Sequence, residues 1–204
     1  TFPVAGVTEF ATEYSRWRTC AVSSPANRCS MSSTRLPATS EPGEPSHGFP
    51  PIARGDARIL VLGSLPSQRS IAEQQYYAHP QNAFWRIMGE LAGAAGSYEE
   101  RCAALMRHRI AVWDVLAASV RPGSMDADID LDSAQANDFE SFFSGHPDLC
   151  RVCFNGRKAA QMFVRFAGDA AGLREEVVLP STSPAFAAMR FGDKLARWRE
   201  GLAL

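Results

Sequence analysis

The chain has 204 residues, 46% of them hydrophobic, and a formal net charge of -1. That is enough apolar material for one sizeable core, and it excludes a wholesale basic coat. No apolar run approaches the roughly 20 residues that a membrane-spanning helix needs, so no membrane association is expected.

The near-neutral total hides an asymmetry. Residues 96–148 carry four Lys and Arg against ten Asp and Glu, whereas residues 151–204 carry nine against five. A basic face is therefore available to an acidic partner, although ordinary solvated surface gives the same count. The five cysteines are Cys20, Cys29, Cys102, Cys150 and Cys153. An odd number without a secretory pattern points to a reducing, cytoplasmic setting. Cys150 and Cys153 form a lone C-x-x-C inside the apolar run Leu149–Phe154, with no second Cys or His pair, so neither a metal nor another cofactor is expected.

Residues 1 to about 50 are rich in Ser, Thr, Pro and Ala, lack helical or alternating periodicity, and are expected to be disordered. Their acid-poor, Arg- and Ser-containing start also fits a transit sequence, but its amphipathicity is weak. The folded domain is expected over 51–204. Its first strand, Arg58 to Leu62, is an almost wholly apolar run that stops at Gly63, as a buried parallel strand does. In open α/β sheets, ligands bind outside the carboxyl ends of the strands, which makes the polar and aromatic groups just downstream the first candidates for chemistry. They are Ser64, Gln75, Tyr76, Tyr77, His79 and Asn82.

A turn is expected near Ser70 to Gln75, then a helix from about Asn82 to Leu91 with Phe84, Ile87, Met88 and Leu91 on one face. A second helix, Tyr98 to Arg107, buries Cys102, Leu105 and Met106. Ile110 to Val115 reads as the second strand and Ser119 to Asp132 as a long loop. Asn137 to Ser144 reads as a helix presenting Phe139, Phe142 and Phe143, and Arg151 to Asn155 as the third strand. Gly156 opens a helix with Ala159, Met162, Phe163 and Phe166 inward. Val177 to Leu179 forms the fourth strand, and a last helix from about Phe186 to Leu202 carries Leu195, Trp198 and Leu202 inward. Strand and helix alternate throughout, which favours an α/β fold of three α/β/α layers around a central four-stranded parallel sheet.

Four segments in order carry a family resemblance: GSLPSQRS at Gly63 to Ser70, QYYAHPQNAFW at Gln75 to Trp85, IAVWDV at Ile110 to Val115 with RPGS at Arg121 to Ser124, and LPSTSPA at Leu179 to Ala185. The chain from about Gly48 to Leu204 resembles the uracil-DNA glycosylase superfamily, and within it the hypoxanthine-DNA glycosylase branch. The resemblance implies an enzyme acting on double-stranded DNA that contains deaminated bases. It would flip a nucleotide into a pocket and hydrolyse the N-glycosidic bond, leaving an abasic site. Hypoxanthine is the chief expected substrate, with uracil or xanthine beside it. The implied enzyme is a monomer of the cytoplasm, at the bacterial nucleoid.

By the same resemblance, Asn82 orients the attacking water, since an amide can accept one hydrogen bond and donate another. Capping the following helix is its alternative role. The base pocket would comprise Gly63, Ser64, Pro66, Tyr77, His79, Phe84, Asp114 and Asn155. Tyr77 and Phe84 are candidates to stack on the base, with core packing the alternative for Phe84. His79 would reach a phosphate or the base, or else stabilise its loop. Asp114 would accept a hydrogen bond from a purine N–H, or else hold the Arg121 loop by an ion pair. Ser181, Thr182, Ser183, Pro184 and Ala185 would grip the DNA backbone, with Phe186 or Met189 as a wedge, although Ser183 also suits a helix cap. Lys158 and Arg157 sit near a helix start that could approach a phosphate, or are plain surface. Phosphate contacts from the basic C-terminal third would make binding strongly salt-dependent.

Ser67 stands where the family usually has Gly, which bears on the tightness of the first turn because Gly accepts positive φ. A lesion-binding protein without catalysis and a nucleoside-type hydrolase in the same crevice are the alternative functions. A serine hydrolase is disfavoured by the lack of a G-x-S-x-G elbow.

Overall fold

The computed structural model describes residues 45–121 and 129–204. In chain order, β1 (Ser46–His47) and β2 (Ile59–Gly63) lead to α1 (Gln68–Glu73), α2 (Phe84–Ala92) and α3 (Tyr98–Arg107). Strands β3 (Ile110–Asp114) and β4 (Leu116–Ser119) follow almost without a break. After β5 (Gln135–Ala136) come α4 (Phe139–Gly145), β6 (Arg151–Asn155), α5 (Arg157–Ala167), β7 (Glu175–Leu179) and α6 (Phe191–Leu202).

The four apolar runs form one parallel sheet in the order β3-β2-β6-β7. Every residue of β2 and β3 is buried, as expected of strands covered on both faces. Helices α4 and α5 cover one face, where Trp113 meets Phe139 and Phe142, and Phe154 meets Phe163. On the opposite face α3 packs on β3 and α6 on β7, with α2 against both helices. The expected three-layer α/β/α architecture with a four-stranded parallel sheet is therefore the observed one. The chain leaves β2 toward β3 on one side and returns past β2 to β6 on the other. The topological switch point lies between β2 and β6, and open α/β sheets bind ligands outside the carboxyl ends of the strands at such a point.

Several boundaries differ from the sequence expectation. Of the stretch expected to be disordered, residues 1–44 lie outside the described residues, but 45–50 carry β1, which pairs antiparallel with β4. The long loop expected from Ser119 lies partly outside the described residues, Pro122 to Ser124 included. Its start belongs to a small antiparallel sheet, β1-β4-β5, whose two-residue outer strands are too short to show a period. The turn at Ser70 to Gln75 is the helix α1, because the Ser67 hydroxyl accepts the Ser70 N–H at 3.2 Å and caps it. The last helix begins at Phe191, not Phe186. Turns consume the earlier donors, with Ala185 N–H on the Ser183 hydroxyl and Phe186 N–H on the Ser183 carbonyl. Within α6, Trp198 and Leu202 are buried as expected, whereas Leu195 is half-buried and Lys194 takes the inner position. Phe166 is likewise only half-buried.

Trp198 joins the last helix to the core. It is fully buried, its indole Nε1–H donates to the Pro180 carbonyl at 2.9 Å, and its ring meets Phe84 edge-on with centroids 5.9 Å apart. Trp198→Ala is expected to cost about 3–5 kcal/mol, read as a lowered midpoint in urea unfolding. Burial also pushes the Cys102 and Cys153 thiols up to about 12, so at pH 8 both stay protonated and inert. Alkylation of the folded protein, mapped by peptide mass spectrometry, is expected to label exposed Cys150 and spare Cys102 and Cys153.

Candidate active site

The sheet's register sets the site. Gly63 pairs with Asp114, Leu62 with Phe154, and Asn155 with Leu179, so Asp114, Gly63, Asn155 and Leu179 form the last row at the carboxyl edge. Side chains alternate faces along a strand. Since Trp113 and Phe154 face α4 and α5, the last row faces the α2 and α6 side. At its centre Gly63 has no side chain. A Cβ there would overlap the Asp114 carboxylate and lie 3.1 Å from the Tyr77 hydroxyl. The gap left by one missing methyl thus admits a carboxylate and a phenol, and both groups meet over Gly63.

Two adjacent tyrosines are sent in opposite directions. Tyr76 is 3% exposed. Its N–H donates to the Tyr98 hydroxyl at 3.0 Å, its carbonyl accepts the Trp85 indole N–H at 2.7 Å, and its hydroxyl donates to the Phe49 carbonyl at 3.2 Å. Burial holds its phenol well above the usual tyrosine range. Tyr77 adopts φ +53°, a left-handed conformation that costs a non-glycine residue about 1–3 kcal/mol. That turn lays its ring on Phe84, with centroids 4.1 Å apart and planes 28° apart. Phe84 is fully buried, so it is the platform beneath Tyr77, and Tyr77 is the half-buried aromatic at the crevice.

Asn82 and His79 shape the turn between Tyr77 and α2. The Asn82 carbonyl oxygen Oδ1 accepts the Phe84 N–H at 3.0 Å, which fixes the plane of the amide. His79 accepts the Asn82 N–H on its carbonyl at 2.8 Å and the Gln81 N–H on Nδ1 at 3.2 Å. His79 therefore stabilises its loop, whereas the N-cap of α2 is Ala83, which makes no side-chain cap bond, and half-buried Asn82 bonds the first helical N–H from one residue before it.

The first loop is stitched to the second strand's end. Val115 N–H donates to the Gly63 carbonyl at 2.9 Å and Leu116 N–H to the Ser64 carbonyl at 3.0 Å, while the Arg121 guanidinium donates to the Pro66 carbonyl. Asn137 Nδ2 donates to the Asp114 carbonyl at 2.8 Å. Ser64, Asp114 and Arg121 are all buried. Ser67 has φ −66°, a conformation open to any residue, so the turn does not require the family's glycine there.

With this geometry in place, comparison with known proteins is informative. Residues 50–202 match the family model described as the uracil DNA glycosylase superfamily. The chain belongs to that superfamily. It is 41% identical over 141 residues to a protein of Methanosarcina acetivorans named hypoxanthine DNA glycosylase, covering 68% of this chain and 86% of that one. A protein of the same name from Methanosarcina barkeri is 40% identical over 117 residues, covering 56% of this chain and 73% of its own. A solution NMR structure of a Methanosarcina acetivorans protein superposes with a TM-score of 0.63 at 37% identity, covering 79% of this chain and 100% of the other.

In this superfamily member the LPSTSPA segment is tied to the end of β6 at Asn155. Thr182 is buried and hydrogen-bonded to Asn155, whereas Ser181 and Ser183 are half-buried, and Pro184 and Ala185 are exposed. The Ser181 and Ser183 hydroxyls accept the N–H groups of Ser183 and Ala185. Ser183 therefore closes a turn and does not cap a helix. Phe186 is 39% exposed, and a groove of about 740 Å³ beside β7 opens next to it, bordered by Gly156, Pro180, Ser181 and Met189.

Two cations escape a reading of the sequence alone. Lys194 is 5% exposed; its ammonium donates to the Phe186 carbonyl at 3.4 Å and lies 5.3 Å from that ring's centroid, and burial lowers its pKa. The Arg86 guanidinium stacks on Phe191, 3.6 Å from the ring centroid. The only signal for Lys194 is that it shares the i, i+4 row with Trp198 and Leu202. Gly63→Ala should displace Asp114 and Tyr77 together. The expected loss is about 1–3 kcal/mol of stability, with a shift of the Tyr77 ring resonances; an unchanged melting temperature and spectrum would count against the close approach.

Proposed function

We infer that this protein is a monofunctional DNA glycosylase that removes deaminated bases, chiefly hypoxanthine, with uracil and xanthine as lesser substrates. The observation that carries the reading is the meeting of Asp114 and Tyr77 over Gly63, beside an Asn82 loop, in a chain 41% identical to a protein named hypoxanthine DNA glycosylase. The substrate is duplex DNA, bound by a monomer at the cytoplasmic nucleoid.

The chemistry follows from the groups present. A flipped hypoxanthine lies against the Tyr77 ring, an interaction worth about 1–3 kcal/mol. Its N1–H donates to the Asp114 carboxylate. Adenine has no hydrogen at N1, so it forgoes that hydrogen bond and is held less well than hypoxanthine. As the C1′–N9 bond breaks, the electron pair leaves with the base and the sugar gains oxocarbenium character. A water held by the Asn82 amide adds its oxygen to C1′, and its proton passes to the departing base or solvent. Asn is not a strong base, so this route relies on a good leaving group, as a deaminated purine is. The clamp of Ser181, Thr182, Ser183, Pro184 and Ala185 follows the backbone beside the lesion, and Phe186 enters the space the base vacates.

The inactive lesion-binding alternative rested on Ser67, and the extended backbone there removes that ground. A hydrolase of free nucleosides would have no use for the loop from Pro180 to Phe186.

Two variants separate the roles of Asn82. Asn82→Ala removes the amide and its hydrogen bond to the Phe84 N–H and should lower stability by about 1 kcal/mol. Asn82→Ser retains a hydroxyl that can accept that N–H. Both are expected to lower single-turnover excision from a deoxyinosine duplex about a hundredfold or more, read as alkali-labile sites in an end-labelled strand. Full activity in Asn82→Ser would remove Asn82 from the chemistry and leave it a residue of the turn.

A further inference from the structure

Thr182 is 1% exposed in a loop that is otherwise half or wholly open. Its hydroxyl accepts from Asn155 Nδ2 at 2.8 Å, and its N–H donates to Asn155 Oδ1 at 2.8 Å. Its carbonyl accepts the N–H of Ala83, the residue after Asn82, at 3.0 Å. One residue thus joins three segments far apart in sequence: the end of β6, the clamp, and the turn that holds Asn82.

The geometry points to Thr182 and Asn155 as a positioning pair, through which the clamp sets the place of Asn82. The inference rests on the glycosylase reading above and deepens it. Asn155 directs both ends of its amide at Thr182, in a two-bond ring that fixes orientation as well as distance. The approach also needs Gly156. Its φ of +101° is one that L side chains rarely adopt, and a Cβ there would lie 3.0 Å from the Ser181 Cβ. When the clamp is seated on the backbone, the Thr182 carbonyl anchors the turn at Ala83 and keeps the adjacent Asn82 amide in line with C1′. With the clamp unseated, the water loses its alignment while the pocket stays intact. Grip on the DNA and readiness for hydrolysis are thereby coupled through one backbone carbonyl.

Thr182→Val keeps the shape and deletes the hydroxyl, Asn155→Ala deletes the partner, and Thr182→Ser restores the hydroxyl. Each is compared with the unaltered protein for single-turnover excision of deoxyinosine, for duplex affinity, and for exchange of the Ala83 amide followed by NMR. Thr182→Val and Asn155→Ala are each expected to slow single-turnover excision at saturating protein about a hundredfold, beyond any change in duplex affinity, and to speed Ala83 exchange. Thr182→Ser should recover both, and the double variant should lie within about twofold of the slower single one. Unchanged Ala83 exchange in Thr182→Val would overturn the tie whatever the activity. Multiplying losses in the double variant, or lost affinity with intact Ala83 protection, would instead make Asn155 or Thr182 a direct contact to base or DNA. If the unaltered protein leaves no alkali-labile sites, the glycosylase reading itself fails, and the exchange data still report on the tie.

Discussion

The site depends on a missing side chain. At the last row of the sheet Gly63 lies beside Asp114, and the space a methyl would fill holds that carboxylate and the Tyr77 hydroxyl. The Asp114 carboxylate is 3% exposed, and a charged group is costly to take out of water. It is tolerated at a strand end, where the backbone is fixed by neighbours and the loop above can be shaped to serve it. Those neighbours are present: Asn137 holds the Asp114 carbonyl, and Val115 and Leu116 hold the carbonyls of Gly63 and Ser64. The polar edge is thus built on strand ends held by hydrogen bonds.

Backbone strain is placed where it reorients a functional ring. Tyr76 is tied by three hydrogen bonds into the core, and the left-handed turn at Tyr77 then swings the next ring out onto Phe84. Buried Phe84 in turn rests against Trp198, which holds the Pro180 carbonyl at the base of the clamp. Aromatic contacts and the Trp198 hydrogen bond therefore link Tyr77 to the loop that begins at Pro180. The polar route through Ala83, Thr182 and Asn155 runs beside it. Two chemically different connections thus join the same loops, and on the proposed reading they would let binding energy from the clamp be used at the reacting centre.

Much of this was legible in the sequence because it depends on local chemistry. Apolar runs ending in Gly63, Asp114 and Asn155 mark buried parallel strands whatever their partners, and Asn before a helical period marks a helix start. Other features were hidden for physical reasons. Strands β1 and β5 are two residues long and have no period to detect. The turns of the clamp satisfy their donors with Ser183, so a segment with helical composition does not become helix until Phe191. Lys194 follows the apolar row of α6, yet nothing local announces that its stem is buried and its ammonium rests on Phe186.

The sequence by itself determined the layered α/β architecture, the strand ends that carry the site, and the motifs that place the chain in its superfamily, because each is encoded within a few consecutive residues. Tertiary structure alone decided that Tyr77 and not Phe84 faces the crevice, that Asp114 sits over Gly63, and that Thr182 turns inward to Asn155. Those outcomes depend on register across strands and on hydrogen bonds between segments tens of residues apart. No local window of the chain contains both Gly63 and Asp114, or both Asn155 and Thr182.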